Sequence, residues 1–313
     1  MASRVVVLSG PTASGKTALG VLLAETFGGE VVSADSMQIY RRMDVGTAKP
    51  TAEEMRGVPH HMLDVAEPEE DYSVARYVEE ASRCVDDILA RGRLPIIVGG
   101  TGLYIDSLLS GRTFAGGPVD AALRQELSER YDEIGAQGLW GELRKVDPER
   151  AAKLHPSDKK RVVRALEVYI LTGKTITQHD AETRALPPRY EAARIALDYL
   201  DRADLYDRID RRVGIMLENG LADEVRALLD AGVPRSCTAM QAIGYKEIVR
   251  ALDGACSLEE AAEDIRRESR RYAKRQLTWL RRGDYYWIRF QKTPDLAAAR
   301  RDSTDFLAAH GIE

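Results

Sequence analysis

The chain has 313 residues, 44% hydrophobic and 30% charged, with a net charge of −5 at neutral pH. These are the values of a globular protein with a sizeable core, in one large domain or two unequal ones. No run approaches the roughly 18 consecutive apolar residues of a membrane span, and the acidic balance excludes a uniformly basic surface, so any RNA contact must come from local basic stripes.

The N-terminus enters an apolar run, Val5–Leu8, without a basic leader or a small-residue cleavage site, so no secretory signal is expected. Gly10-Pro11-Thr12-Ala13-Ser14-Gly15-Lys16-Thr17 then fits G-x-x-x-x-G-K-[ST] completely, between that strand-like run and a helix expected from Lys16 to about Phe27. In such a loop successive N–H groups and the helix N-terminus face an anion, the lysine neutralises phosphate, and the threonine hydroxyl binds Mg²⁺. The motif predicts diphosphate or triphosphate binding and leaves open whether the phosphate belongs to a nucleotide. Glu30–Ala34 and Leu94–Val98 are further short apolar runs, with an amphipathic stretch, Val74–Ala90, between them. Apolar runs separated by helices predict a parallel α/β sheet covered on both faces.

After Gly116-Gly117-Pro118 the sequence turns helical and highly charged to about Gly173, and Pro187-Pro188 follows as a break. Arg194–Leu200 reads as a strand returning to the sheet; the rest is helical apart from a terminal strand around Tyr285–Phe290. The expected fold is a P-loop NTPase-like parallel sheet flanked by helices, residues 1–113 and 190–313, with an all-helical insertion over residues 114–189. Cys84, Cys237 and Cys256 are far apart and lack metal-ligand spacing, which fits a reducing cytoplasm.

Most P-loop NTPases end a second buried strand in a metal-holding acid. Ile96-Ile97-Val98 ends instead in Gly99-Gly100-Thr101-Gly102; the carboxylate that closes a short apolar run near the loop is Asp35. No Asn-Lys-x-Asp guanine motif occurs.

Gly10–Thr17, Ser33-Ala34-Asp35-Ser36-Met37-Gln38-Ile39-Tyr40 and Asp44-Val45-Gly46-Thr47-Ala48-Lys49-Pro50 resemble the tRNA dimethylallyltransferases. So do Pro59-His60-His61, Gly99–Tyr104, Gln241-Ala242-Ile243-Gly244-Tyr245 and Lys274-Arg275-Gln276-Leu277-Thr278-Trp279-Leu280-Arg281, in family order over nearly the whole chain. Plant-type adenylate isopentenyltransferases share the first half, but the Lys-Arg-Gln block is closer to the tRNA enzymes. Without the zinc-finger extension of eukaryotic members, the resemblance implies a bacterial-type enzyme.

The resemblance implies that the loop holds the diphosphate of dimethylallyl diphosphate rather than ATP, with Lys16, Mg²⁺ at Thr17 and Arg212 stabilising the departing pyrophosphate. On its helix Arg212 falls within the apolar arc of Leu205, Ile209, Val213 and Met216, so it needs a partner or an anion; a structural ion pair is the alternative. Asp35 resembles the general base for the adenine amine and Thr101 its orienting partner; read without the family, an indirect Mg²⁺ ligand and a turn cap stand level with those roles.

The implied acceptor is the anticodon stem-loop of tRNA, at the adenosine 3′ of the anticodon, flipped from a single-stranded loop. A helix is expected from about Ile265 to Arg281, with Ile265, Tyr272, Gln276, Trp279 and Leu280 on one side. Arg267, Arg270, Arg271, Lys274 and Arg281 lie on the other and suit phosphate, though a solvated basic face is the plain alternative. The implied tRNA contacts are Asp35–Gln38, Thr101, Lys160-Arg161-Val162-Val163-Arg164, Gln241–Lys246 including Gly244 and Tyr245, Lys274, Arg275, Gln276 and Arg281. Some relatives carry arginine where Gln241 stands. His60 and His61 read as structural or substrate-lining. A cytoplasmic monomer without membrane partners is expected. The competing functions are a small-molecule kinase and a non-catalytic RNA-binding protein with a degenerate P-loop.

Overall fold

A computed structural model of the chain describes residues 4–111 and 120–312. The chain divides into two compact units, Met1–Leu109 with Arg189–Glu313, and Ser110–Pro188. The insertion's expected start at residue 114 and the Gly116-Gly117-Pro118 turn lie outside the described residues.

The first unit is built on a wholly parallel sheet of β1 (Arg4–Ser9), β2 (Glu30–Ser33), β3 (His60–His61), β4 (Pro95–Gly99), β5 (Glu191–Tyr199) and β6 (Tyr286–Phe290). Their order across the sheet is β3-β2-β4-β1-β5-β6. β1 and β4 are continuous apolar runs because helices cover both faces: Val6, Leu8, Ile96 and Ile195 are fully buried with Leu19 and Leu23 of the Lys16–Phe27 helix. β3 was not expected, since two residues carry no periodicity. It pairs with Val31 and Val32 and puts His61 Nε2 2.7 Å from Glu30 Oε2. Glu30 also binds Arg91, and that hydrogen bond, helped by His61, holds its buried carboxyl down at about 2.

The Lys16–Phe27 and Val74–Ala90 helices form where their patterns place them. The basic helix is longer than expected, Leu258–Leu280. Its start is fixed by a capping box, with the Ser257 hydroxyl accepting from Glu260 N and Glu260 reaching back to Ser257 N. A second core packs Ile39, Tyr40 and Met43 against Val213, Val225, Tyr245 and Ile265 from the helices after β5. Among the described residues no helix is long and apolar enough to cross a membrane.

The second unit consists of the helices Ala121–Val146, Pro148–Ala152, Lys159–Thr172 and Ile176–Ala185, packed around Leu139, Leu143, Val162 and Leu166. The first of these breaks at Gly135, with φ 77°.

What the sheet order decides is which loops become neighbours. β2, β4 and β1 lie side by side, so their C-terminal ends bring Asp35, Gly99–Thr101 and the Gly10–Thr17 loop to one edge. Ser9 Oγ donates to Gly99 O at 2.8 Å, Ala34 N to Val98 O at 2.8 Å, and Thr101 N to Ala34 O at 3.1 Å. This closeness requires glycine at position 99, because a Cβ there would lie 2.2 Å from Ala34 O. Gly99→Ala should therefore destabilise the protein by about 3 kcal/mol, the upper end for overpacking because backbone must move. Calorimetry that finds an unchanged melting temperature would show that the two loops are not held this tightly.

Candidate active site

The Gly10–Thr17 loop is shaped by Ala13 at φ 63° and Gly15 at φ 92°, after which Lys16 begins the helix. Three side chains brace it. Lys16 Nζ donates to Pro11 O at 2.7 Å, Gln276 Oε1 accepts from Thr12 N at 2.8 Å, and Arg208 Nε donates to Ala13 O at 3.0 Å. Arg208 stands one turn before Arg212 on the Arg202–Glu218 helix. That helix is tied to the basic helix by Arg270, which donates to both oxygens of Asp210 at 2.7 Å.

Two cations meet beside the loop. Burial, then the nearby Arg212, pushes the Lys16 ammonium down to about 7, with Asp35 opposing. Burial likewise lowers the Arg212 guanidinium, again against Asp35. Among the described residues, Arg212 Nε and Ser14 Oγ are buried without a hydrogen-bond partner. Of the two possibilities for Arg212, a structural ion pair is not what the fold provides at Nε. An anion would satisfy it.

On the other side of these cations, Asp35 Oδ1 accepts from Met37 N at 2.9 Å. Thr101 Oγ1 accepts from Ser36 N at 3.0 Å and lies 3.3 Å from Ser36 Oγ, and Thr101 O also begins the Gly102–Ser110 helix. Thr101 is thus a helix cap and a neighbour of the Asp35 segment at once. The Gln38 amide accepts from Ser33 Oγ and donates to Thr47 O and Ala48 O. Glu224 holds the adjoining loop: it accepts from Asp44 N, Val45 N and Gly46 N at 2.8, 2.7 and 3.0 Å, and from Tyr245 Oη at 2.6 Å.

These groups border two cavities. One, of about 390 Å³, is lined by Asp35, Ser36, Gln38, Tyr272 and Arg275, together with Lys16, Thr17 and Arg212. The other, of about 600 Å³, has Arg56, Arg208 and Arg211 around the same Lys16, Thr17 and Arg212. An anion seated at that shared wall would face two cations, and a carboxylate would stand ready in the smaller cavity to accept a proton. Among the described residues no group of three or more His, Cys, Asp and Glu side chains could hold a metal ion. The Thr17 hydroxyl fits a Mg²⁺ that takes its remaining ligands from phosphate oxygens and water.

The expected site residues therefore divide. Thr12, Lys16, Thr17, Asp35–Gln38, Arg212, Gln241–Ile243, Lys246, Arg275 and Gln276 come together around the smaller cavity. Tyr245 does not line it: the ring is fully buried and its hydroxyl is held by Glu224. Gln276 is 6% exposed, with both ends of its amide on backbone. On the basic face Lys274 is exposed, whereas Arg267 and Arg271 pair with Asp264 and Glu268, and Arg270 with Asp210. In the second unit Lys160 and Arg161 are exposed, Arg164 pairs with the buried Glu167, and Val162 and Val163 belong to the core. Arg208 and Glu224 were not picked out from sequence. Arg208 had a usable signal in its spacing from Arg212, whereas Glu224 acts through a loop far away in the chain.

The IPP transferase family model matches residues 38–283, and an isopentenyl transferase model matches residues 3–70. The chain is 49% identical over 286 residues to the tRNA dimethylallyltransferase of Thermoanaerobacter sp. (strain X514), covering 91% of each chain. It is 51% identical over 282 residues to that of Geobacillus thermodenitrificans, covering 90% of this chain and 88% of the relative. Among solved structures, the tRNA isopentenylpyrophosphate transferase of Bacillus halodurans superimposes with a TM-score of 0.71 at 43% identity, covering 98% of this chain and 97% of that one. A eukaryotic dimethylallyltransferase acting on tRNA gives 0.81 at 31% identity, covering 98% and 80%.

Lys16 makes the anion site testable by proton linkage. Its folded pKa lies near 7 against 10.5 for a free side chain, so between these values the unfolded chain binds the extra proton. Stability of the free protein should therefore rise with pH across that window by an amount that Lys16→Met abolishes. Pyrophosphate, by restoring the charge, should bind with proton uptake at pH 8. Titration calorimetry in buffers of differing ionisation enthalpy checks this against Lys16→Met, which corrects for the proton that pyrophosphate itself can lose; the same net proton uptake in both proteins would contradict it.

Proposed function

The chain belongs to the IPP transferase family of tRNA dimethylallyltransferases, and from that membership we propose how its cavities divide the reaction. The activity is transfer of a dimethylallyl group to the N6 amine of the adenosine 3′ of the anticodon, in tRNAs reading U-initial codons, releasing diphosphate. The small-molecule kinase reading finds no support among its relatives.

Dimethylallyl diphosphate seats its diphosphate on the Gly10–Thr17 loop, against Lys16 and Arg212. The observation that carries this assignment is the pair of half-buried cations at the wall common to both cavities, with Arg212 Nε buried and, among the described residues, unpartnered. The allylic C–O bond breaks with its electrons leaving on the diphosphate, and fixed cations aimed there lower the barrier. When bound at Thr17, Mg²⁺ supplies further charge neutralisation to the same oxygens.

The acceptor adenine enters the smaller cavity. Its amine is a weak nucleophile, and Asp35 accepts the proton as nitrogen bonds to the allylic carbon. Thr101 orients that amine from its position beside Ser36. Lys274, Arg275 and Arg281 on the first unit and Lys160 and Arg161 on the second contact tRNA phosphates, so a protein of net charge −5 binds RNA through local stripes. The enzyme acts as a cytoplasmic monomer.

The decisive assay supplies purified protein with dimethylallyl diphosphate, Mg²⁺ and unmodified tRNA reading U-initial codons, followed by nucleoside mass spectrometry. Isopentenyladenosine should form, and should be absent with Lys16→Ala. Folded protein that makes none, and binds ATP tightly with Mg²⁺, would overturn the assignment. Asp35→Ala should fold and lose turnover by roughly 10²-fold or more; full activity would remove Asp35 from the proton transfer.

A further inference from the structure

The basic helix Leu258–Leu280 carries Lys274 and Arg275 exposed to solvent, yet the next residue, Gln276, points inward and is 6% exposed. Its amide joins two loops that are distant in sequence. Oε1 accepts from Thr12 N at 2.8 Å, in the phosphate loop, and Nε2 donates to Gly100 O at 3.0 Å, in the loop after β4. Only this orientation of the amide gives each end a complementary partner.

Position 100 is shaped around that contact. A Cβ on Gly100 would lie 2.1 Å from Gln276 Nε2, so the glycine leaves the space that the amide occupies. The residue after Gly100 is Thr101, whose hydroxyl accepts from Ser36 N beside Asp35. A continuous path of hydrogen bonds thus runs from the phosphate loop, through Gln276, to the segment holding the carboxylate.

We propose that Gln276 is a positioning residue for the transfer reaction, fixing the phosphate loop relative to the Thr101–Asp35 segment, rather than a contact for tRNA. The inference rests on the reaction assigned above. Bond formation needs the allylic carbon and the amine nitrogen roughly 3–3.5 Å apart and aligned, and a shift of about 1 Å costs on the order of 10²-fold in rate. The two reactants are held by different loops, and the Gln276 amide sets the spacing of those loops.

The test compares Gln276→Glu, Gln276→Met and Lys274→Ala in the tRNA transfer assay, with kcat and KM for tRNA determined separately. The glutamate keeps the bond from Thr12 N but sets a carboxylate oxygen against Gly100 O. The methionine keeps volume and loses both bonds. Both Gln276 variants should lose kcat by on the order of 10²-fold with KM for tRNA changed by no more than about twofold, whereas Lys274→Ala should raise KM. Gly100→Ala should cost a similar factor and add little in the Gln276→Met background, because both act on one contact. It also reports on the contact if a Gln276 variant does not fold. A Gln276 variant with intact kcat and KM raised like that of Lys274→Ala, or losses that multiply in the double variant, would overturn the proposal. Inactive wild type would remove the reaction assignment instead; exchange protection of the Thr12 amide, lost in Gln276→Met, reads the loop contact independently of turnover.

Discussion

Lys16 and Arg212 stand together, half-buried and with like charge, at the wall shared by the two cavities. Lys16 donates to a backbone carbonyl, Pro11 O, and among the described residues Arg212 Nε has no partner. Desolvating two neighbouring cations costs free energy, and burial is the main cause of the lowered Lys16 pKa. Asp35 opposes that shift from the side of the smaller cavity. In the proposed reaction a diphosphate seated there would offset the penalty on both cations at once, and its charge would rise as the C–O bond breaks.

The rest of the first unit keeps that arrangement fixed. Neighbouring strands β2, β4 and β1 deliver Asp35, Thr101 and the phosphate loop to one edge, and Gly99 lets the β4 turn press against Ala34. Arg212 arrives from outside the sheet on the Arg202–Glu218 helix, which is anchored by Arg208 on Ala13 O and by Asp210 on Arg270. Glu224 holds the loop from Asp44 to Gly46, and Gln276 joins the phosphate loop to Gly100. Side chains that bind backbone in this way fix the loops on which the cavities are built.

Much of this was legible in the sequence because the signals were local. The phosphate loop, the Lys16–Phe27 and Val74–Ala90 helices and the buried strands each follow from a motif or a period within a short window. Arg212 was readable as well, since a charge on an apolar arc is a conflict whose resolution must be functional or paired. The strand at His60–His61 was too short to show a period, and the start of the basic helix lay in a Ser257–Glu260 capping box that passed unread. Tyr245, Val162 and Val163 sit within motifs matched to tRNA contact, but their side chains are core. A motif fixes which segment lies near a ligand and not which of its side chains turns inward. Glu224 became visible only with tertiary structure, which also showed that both ends of the Gln276 amide meet backbone.

The most direct test of the account is a crystal structure with Mg²⁺ and pyrophosphate. The anion should lie on the Gly10–Thr17 loop with the Arg212 guanidinium donating to it, and Lys16 Nζ, 2.7 Å from Pro11 O, should donate to a phosphate oxygen. Pyrophosphate bound elsewhere, or bound at the loop with Arg212 still unengaged, would contradict the claim that two uncompensated cations define this site.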